Sequence, residues 1–379
     1  MTGVMNAQVN QAALLELRAE VREFVAEQLA RDAFTARTDS WITAWSPEFS
    51  QAVAARGWVG MTLPTEYGGG GRSYPERFVV TEELLLAGAP VAAHWVADRQ
   101  AGPSLLRFGT EELKRELLPR IAGARCFFAI GMSEPDAGSD LASVRTRATR
   151  TEDGWRVSGR KVWTSGAHQA DLMVILARTS GRHGDRHQGL SQLIIDLRAP
   201  GVKVSPIISM NGQHHFNEVA LEEVFVPDGR LLGNEGDGWQ QVTSELAFER
   251  SGPERFLSIS LLTAMLLKAT RQGKVETTPE LGRLVARLQG LHHMSFSVAV
   301  ALQQGLAADV PAAMVKTLGT ATEGDLIELA ALLAGAAGNH GGELADAVSV
   351  ATAQRPGFTL RGGTNEILRG VITKGLGLR

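Results

Sequence analysis

The sequence predicts an α+β protein with three domains in the order helical, β and helical. Residues 1–125 show the three- and four-residue apolar spacing of helices, residues 126–237 change to a spacing of two, and residues 238–379 return to the helical spacing. These changes of period predict an N-terminal α-helical domain, a middle antiparallel β-barrel and a C-terminal four-helix bundle. A chain of 379 residues is long enough to bury a substantial core in two or three domains.

The N-terminal domain is predicted from two amphipathic helices. Leu14, Leu17, Val21 and Phe24 share one apolar face, and Pro75 suits the first turn of a second helix. The segment "EYGGGGRS" lies between them, but no Lys-Ser/Thr pair follows it and no strand pattern precedes it. We therefore interpret the four glycines as a surface loop and not as a phosphate-binding loop.

The middle domain is predicted from short alternating segments separated by turn residues. "VRTRATR" and "WRVSG" flank the turn "EDG", which predicts a β-hairpin. "LMVILAR", "SQLIID", "VKVSPI" and "VALEEVFV" continue the series of strands. The close spacing of the strands favours a compact antiparallel barrel or sandwich.

The C-terminal domain is predicted from long helices with short connections. Leu281, Leu284, Leu288 and Leu291 form one apolar stripe, and Pro311 opens a further helix. About four such helices are typical of a helical bundle.

The composition excludes several classes of protein. The net charge is −3, which gives no global sign of nucleic-acid binding. The single cysteine, Cys126, excludes an intramolecular disulfide, and the nine histidines show no metal-ligand spacing. The first residues resemble no secretory signal, and no run of about 18 apolar residues predicts a membrane span. We therefore expect a cytoplasmic protein without a metal site.

Two motifs of the middle domain contain groups suited to a planar, phosphate-bearing cofactor. "IGMSEPDAGSDL", from Ile130, is a turn rich in hydroxyl and glycine residues, which can bind polar cofactor atoms or simply cap a helix. "GRKVWTSGAHQAD", from Gly159, places Trp163 beside two hydroxyl residues. The indole can form an aromatic wall for a ring, or it can be a core tryptophan. From spacing alone, both alternatives remain open for each motif.

Together, these motifs resemble the acyl-CoA dehydrogenase family of flavoproteins. The resemblance covers nearly the whole chain and includes "GWVGMTLPTEYGGGG", "MSEPDAGSD", "GRKVWTS", "VFVPDGRLLGNEGDGW" and "GGTNEILR" in a fixed order. It implies an FAD-dependent αβ-desaturation of an acyl-CoA, or of a carrier-bound acyl thioester, in fatty acid or steroid catabolism. It also implies that electrons leave to an electron-transferring flavoprotein.

The resemblance also implies which residues contact the flavin. In the middle domain Trp163 covers the flavin face away from the substrate, Ser165 bonds flavin N5, and Ser139 lies near the CoA arm as well. Thr364 and Glu366 match flavin-contacting positions near the C-terminus. The full set in the middle domain is Ile130, Met132, Ser133, Gly138, Ser139, Trp163, Thr164 and Ser165.

The commonest catalytic base of the family, a glutamate, is replaced here by Gly362. A glycine cannot abstract a proton, and some branches of the family carry the base as a Glu-Arg pair in the first bundle helix. Glu249 and Arg250 match that pair. We expect Glu249 to be the base, with its carboxylate entering the space that Gly362 leaves. Arg250, Arg361 and Gly362 are expected at the substrate.

Alternatives to this assignment remain open. Glu245 lies on nearly the same helix face as Glu249, Glu254 is rotated away, and Glu366 matches a flavin contact instead. Arg361 could anchor a polar acyl group, orient Glu249 or be solvated. The alternative functions are a flavin-dependent monooxygenase or oxidase and a non-catalytic subunit of a heteromeric dehydrogenase.

Assembly is predicted from two segments that, in family homotetramers, hold a neighbour's cofactor. "RQGKV" keeps Arg271 of the first segment, and "GAAGN" keeps Gly338 of the second. We expect a homo-oligomer, a dimer or tetramer, and the alternative is pairing with a different subunit that completes the site.

Overall fold

The computed structural model describes residues 10–180, 186–338 and 341–378, with the backbone alone at residues 245–249. The chain divides into two compact units. The helical unit is drawn from residues 1–39, 72–89 and 250–379, and the β unit from residues 40–71 and 90–249. Each unit combines stretches that are distant in sequence, so the predicted domain boundaries stay a prediction.

The described helices follow in chain order. They are α1 (Gln11–Ala30), α2 (Ser40–Thr43), α3 (Pro47–Ala55), α4 (Tyr74–Leu86), α5 (Ala92–Val96), α6 (Gly102–Phe108), α7 (Glu111–Ala122), α8 (Gly238–Arg250), α9 (Ser260–Arg271), α10 (Pro279–Gln303), α11 (Asp309–Ala336), α12 (Glu343–Phe358) and α13 (Asn365–Gly375). None of them is both long enough and apolar enough to cross a membrane.

The helices of the helical unit begin and pack as their sequences predict. Pro75 lies in the first turn of α4, which begins at a capping box formed by Ser73 and Glu76. The stripe of α10 is buried at Leu281 and Leu284, and it packs with residues of α9, α11 and α12 into one apolar core. Because each helix is apolar on one face, burial of these faces against one another stabilises the bundle.

The β unit contains one eight-stranded sheet. The strands are β1 (Phe128–Gly131), β2 (Arg147–Arg150), β3 (Gly154–Lys161), β4 (Leu172–Arg178), β5 (Leu190–Asp196), β6 (Val202–Ile208), β7 (His214–Pro227) and β8 (Leu231–Leu232). The pairing order is β6-β7-β3-β2-β4-β5-β8, and β1 also pairs with β4. The predicted hairpin is confirmed, since β2 and β3 pair antiparallel with Arg150 opposite Trp155.

One feature of the predicted sheet is wrong, because the sheet is mixed and not wholly antiparallel. Both β1 and β2 pair with β4 in the parallel sense. The described pairing is a path that ends at β6 and β8, so the observed architecture is a mixed sheet. Alternation along a strand reports which face is buried, and it carries no information on the direction of the neighbouring strand.

Candidate active site

The two predicted flavin motifs are joined inside the β unit by a buried ion pair. Lys161, at the end of β3, is fully buried, and its Nζ donates to Glu134 Oε1 at 2.8 Å and to the carbonyls of Met132 and Leu176 at 3.2 and 2.6 Å. The backbone N–H of Val162 adds a bond of 2.9 Å to the carbonyl of Ser133. The turn after β1 and the turn after β3 are therefore fixed to each other.

For Lys161 and for Glu134, burial and ion pairing shift the pKa in opposite directions. Burial lowers the pKa of Lys161 to about 8, although Glu134 opposes the shift. Burial alone would raise the pKa of Glu134, but Lys161 and hydrogen bonds from Thr146 and Arg145 outweigh it, so that pKa is lowered. At neutral pH both groups are charged, and each is the counter-ion that the other requires in an apolar interior.

The first motif presents its polar residues on an accessible side. Gly138 and Ser139 are exposed, and a Cβ at Gly138 would meet no described atom within 4 Å. Ser133 is half-buried, as are Ile130 and Met132, which pack against an apolar cluster of the β unit. The motif therefore offers hydroxyls and bare backbone to a ligand while its apolar side chains anchor it.

The second motif displays an aromatic ring in a strained conformation. Trp163 is 59% exposed and has a φ of 58°, a left-handed value that is rare for a bulky residue. Its ring contacts Phe216 edge to face, with centroids 5.6 Å apart. Strained backbone of this kind persists where the surroundings fix it, commonly at functional sites.

The residues after Trp163 carry polar groups of the kind that a flavin binds. Thr164 is fully buried and its Oγ1 has no hydrogen-bond partner among the described residues, while Ser165 is half-buried. An exposed indole, an orphaned buried hydroxyl and accessible hydroxyls in the facing motif fit a planar cofactor with polar edges. The individual flavin contacts stay predictions.

In the helical unit, the two adjacent glycines before α13 pack against arginine side chains. A Cβ at Gly362 would lie 3.0 Å from Arg255 Nη2, and one at Gly363 would lie 3.1 Å from Arg250 Nη2. The Nε of Arg250 donates to the carbonyl of Gly362 at 3.1 Å. Among the described residues, the guanidinium of Arg255 is thus the group that lies beside Gly362.

The side chain of Glu249 lies outside the described residues, as does that of Glu245, so the position of the predicted base stays a prediction. Glu254 is buried, and its Oε1 lies 3.9 Å from Arg255 Nε. Glu366 is exposed in the first turn of α13. The position of Arg255 could not be read from the sequence, since a glycine at position 362 shows only that a side chain is missing there.

Arg361 forms a buried clamp that the sequence did not predict. Its Nη1 and Nη2 each donate to Asp39 at 2.7 Å, and Nη2 also donates to Ser258 Oγ at 3.1 Å. The exposed fractions of the two ion-paired side chains are 16% and 4%. The solvated alternative for Arg361 is therefore wrong, whereas its contact with substrate stays a prediction.

A protonated carboxyl group lies behind this clamp. Glu323 is fully buried, its Oε1 accepts from the backbone N–H of Ser258 at 2.6 Å, and its Oε2 has no hydrogen-bond partner in the described part of the chain. Burial raises the pKa of Glu323 to about 8, against the opposing charge of Arg361. Glu323 therefore holds its proton at neutral pH.

The remaining predicted residues occupy helix ends. Thr364 is the N-cap of α13 and accepts from the backbone N–H of Ile367 at 3.3 Å. Arg271 ends α9 and is exposed, and Gly338 follows α11. No group of three or more His, Cys, Asp or Glu side chains in the described part of the chain is arranged to hold a metal ion.

Comparison with known proteins identifies the class to which this fold and these motifs belong. Family models for the acyl-CoA dehydrogenase N-terminal, middle and C-terminal domains match residues 12–125, 129–224 and 277–377. The chain is 33% identical to the acyl-CoA dehydrogenase IpdE1 of Mycobacterium tuberculosis, over 95% of this chain and 96% of that protein. It is 34% identical to the acyl-CoA dehydrogenase FadE29 of the same organism, over 94% of each.

Solved structures agree with these matches. A Tcur3481-Tcur3483 steroid ACAD is 32% identical, with a TM-score of 0.87 over 98% of both chains. The ChsE4-ChsE5 complex from Mycobacterium tuberculosis is 29% identical, with a TM-score of 0.82 over 99% of this chain and 100% of that one. The chain belongs to the acyl-CoA dehydrogenase family, whose members are FAD-dependent oxidoreductases. The predicted order of helical, β and helical domains is confirmed.

Proposed function

We propose that this chain desaturates an acyl-CoA, or a carrier-bound acyl thioester, between the α and β carbons, with Glu249 as the base. Bound FAD supplies the acceptor for the β-hydride. The observation that carries the assignment is the bond from Arg250 Nε to the carbonyl of Gly362. Arg250 directly follows Glu249 in the sequence, and Gly362 occupies the position of the commonest family base.

In this proposal, each of the predicted site residues has a separate role. The carboxylate of Glu249 accepts the α-proton, and the predicted groups of the β unit hold the cofactor, with the indole of Trp163 against its ring and Ser165 at its polar edge. Arg250 and Arg361 fix the segment around Gly362, since both are bonded within the helical unit. Proton transfer requires a positioned carboxylate, and Arg250, which directly follows Glu249 in the sequence, is itself fixed by its bond to Gly362.

We propose a steroid-derived acyl group as the substrate. The support is the solved steroid ACAD, which is similar to this chain over 98% of both chains. Linear fatty and branched acyl groups are the alternatives, and a panel of acyl-CoAs distinguishes them by the rate of flavin reduction.

We also propose a heteromeric assembly with an electron-transferring flavoprotein as acceptor. The support is that two similar solved structures, the Tcur3481-Tcur3483 steroid ACAD and the ChsE4-ChsE5 complex, are each named for two proteins. Arg271 and Gly338 keep only part of the two segments that a neighbour's cofactor requires. A purified, partner-free chain that forms a tetramer with one FAD per chain contradicts the heteromeric proposal and supports the homo-oligomer.

The test of the base is anaerobic mixing of the purified flavoprotein with the acyl-CoA panel, followed by flavin absorbance. We expect bleaching without oxygen, and its loss in Glu249→Gln. Glu245→Gln is the matched control on the same helix, and it should bleach like the parent. If the flavin is still bleached in Glu249→Gln, Glu249 is not the base. Oxygen-dependent turnover without anaerobic bleaching favours a monooxygenase or oxidase, and a chain that binds no FAD favours a non-catalytic subunit.

A further inference from the structure

The turn that carries Trp163 is bonded to a buried asparagine of the neighbouring strand β7. Asn217 and Thr164 exchange two backbone hydrogen bonds, each 3.0 Å long, and Asn217 Nδ2 donates to the carbonyl of Thr164 at 3.0 Å as well. Asn217 is fully buried. The residue directly after the strained Trp163 is thus held by three bonds from a single partner.

Two stacked imidazoles hold the amide of this asparagine from its other side. The Nε2 of His214 lies 2.8 Å from Asn217 Oδ1, and Asn217 Nδ2 lies 3.1 Å from His168 Nδ1. The imidazole centroids are 4.0 Å apart with the planes inclined by 23°. Because Nδ2 also donates to the carbonyl of Thr164, the orientation of the amide is defined by its bonds.

The bonds of the amide require a particular proton on each imidazole. Asn217 Oδ1 can only accept, so His214 must carry its proton on Nε2. Asn217 Nδ2 can only donate, so His168 Nδ1 must be unprotonated. A proton on His168 Nδ1 would face the N–H groups of Asn217 Nδ2, which cannot accept it. It would also place a positive charge against the stacked ring of His214.

The surroundings of His168 favour its neutral form. Burial lowers the pKa of His168, and the charge of His214 acts in the same direction, against the hydrogen bond from Asn217. With Nδ1 unprotonated, neutral His168 carries its proton on Nε2, so the neutral amide of Gln169, 2.8 Å from that nitrogen, must present its oxygen as the acceptor. On β7, His215 follows His214, and Glu218 pairs with Arg160 of β3 at 3.6 Å.

We propose that Asn217 is a positioning residue for the cofactor-covering turn, and that His168 and His214 together set the orientation of its amide. The proposal rests on the proposed flavin site at Trp163. Asn217 acts through the backbone of Thr164, which holds Trp163 in its left-handed conformation. Protonation of His168 breaks its bond with the amide, loosens the turn and weakens the hold on the flavin.

The test measures the retention of flavin by the holoenzyme between pH 8 and pH 5, from the fluorescence of released FAD, together with the flavin midpoint potential. For the parent we expect constant retention above pH 7 and weaker retention as the pH falls through the lowered pKa of His168, because protonation then opposes the bond with Asn217. His168→Gln keeps an acceptor for Asn217 Nδ2 and does not titrate, so it should bind FAD like the parent at pH 7.5 without the acid step.

Two further variants complete the design. Asn217→Asp removes the donor bonds from Nδ2 to Thr164, His168 and the carbonyl of His215 with little change of shape, and it should weaken FAD binding about tenfold at pH 7.5 and shift the midpoint potential. His293→Gln, at an exposed histidine of α10, is the control and should keep the acid step of the parent.

The outcomes separate this proposal from the proposed function. An acid step that survives in His168→Gln overturns the role of the imidazoles, and parent-like affinity and potential in Asn217→Asp overturn the role of Asn217. If Asn217→Asp does not fold, the pH profile of His168→Gln alone tests the proposal. A parent that retains FAD but is not bleached by any acyl-CoA contradicts the desaturation alone, whereas a parent that binds no FAD contradicts both.

Discussion

Replacement of Lys161 with methionine removes the charge that joins the two flavin motifs and keeps a side chain of similar length. The variant loses the bonds from Nζ to Glu134 Oε1, to the carbonyl of Met132 and to that of Leu176. It also leaves the carboxylate of Glu134 buried without its counter-ion. Removal of one partner from a buried ion pair costs about 3–5 kcal/mol of the free energy of unfolding, a large fraction of the stability of a typical domain.

A double-mutant cycle tests whether the stability lost in Lys161→Met comes from the unpaired charge of Glu134. Glu134→Gln removes the charge and keeps one acceptor oxygen, so it retains one of the two bonds that the backbone N–H groups of Arg145 and Thr146 make to Oε2 and Oε1 of the parent, at 2.6 and 3.0 Å. The double variant Glu134→Gln with Lys161→Met contains no unpaired charge, so we expect it to recover about 1–3 kcal/mol relative to Lys161→Met alone.

Urea unfolding followed by circular dichroism measures the stability, and FAD fluorescence measures the retention of cofactor. Lys203→Met, at an exposed position on β6, is the control and should change the stability by less than about 0.5 kcal/mol. We expect Lys161→Met to lose FAD before it unfolds, because the turn after β1 and the turn after β3 are no longer fixed to each other. A stability within about 1 kcal/mol of the parent, with unchanged FAD affinity, would show that the buried pair neither stabilises the β unit nor holds the cofactor.

Two further predictions concern the clamp of the helical unit. Asp39→Asn should cost about 1–3 kcal/mol in urea unfolding, because it removes the counter-ion of the half-buried Arg361, and a cost no greater than that of a surface substitution contradicts it. The pKa of Glu323 is raised from 4.5 to about 8, so the folded state holds one more proton than the unfolded state between these values. The parent should therefore lose up to about 1.4 kcal/mol per pH unit as the pH rises through this window. Glu323→Gln should flatten the dependence, and an unchanged slope contradicts the assignment.

The fold could be predicted from sequence wherever the signal is local. The hairpin of β2 and β3 follows from alternating residues on both sides of one turn, and the observed register places Arg150 opposite Trp155. The parallel pairing of β1 with β4 could not be predicted, since it joins Phe128 to Leu172 across an intervening hairpin. The period of two is the same for either direction of the neighbouring strand.

The site could be predicted only in part, because its supporting contacts are distant in sequence. Trp163 and Thr164 stand in a recognisable motif, but the bond between Lys161 and Glu134 spans 27 residues, and that between Arg361 and Asp39 spans 322. A charged residue at an inward position of a strand, as at Lys161, is the one local signal that could have indicated a buried pair.

The contact between Gly362 and Arg255 bears on where the base can lie. A glutamate at position 362 would crowd the guanidinium of Arg255, since its Cβ alone would lie 3.0 Å from Nη2, closer than an ordinary van der Waals contact. The positive charge would lower the pKa of that carboxylate and weaken it as a proton acceptor. The φ of 70° at Gly362 would also strain any side chain there. The arginine and the glycine thus exclude an effective base at this position, which supports a base supplied by another helix and makes Glu249 the residue to substitute first.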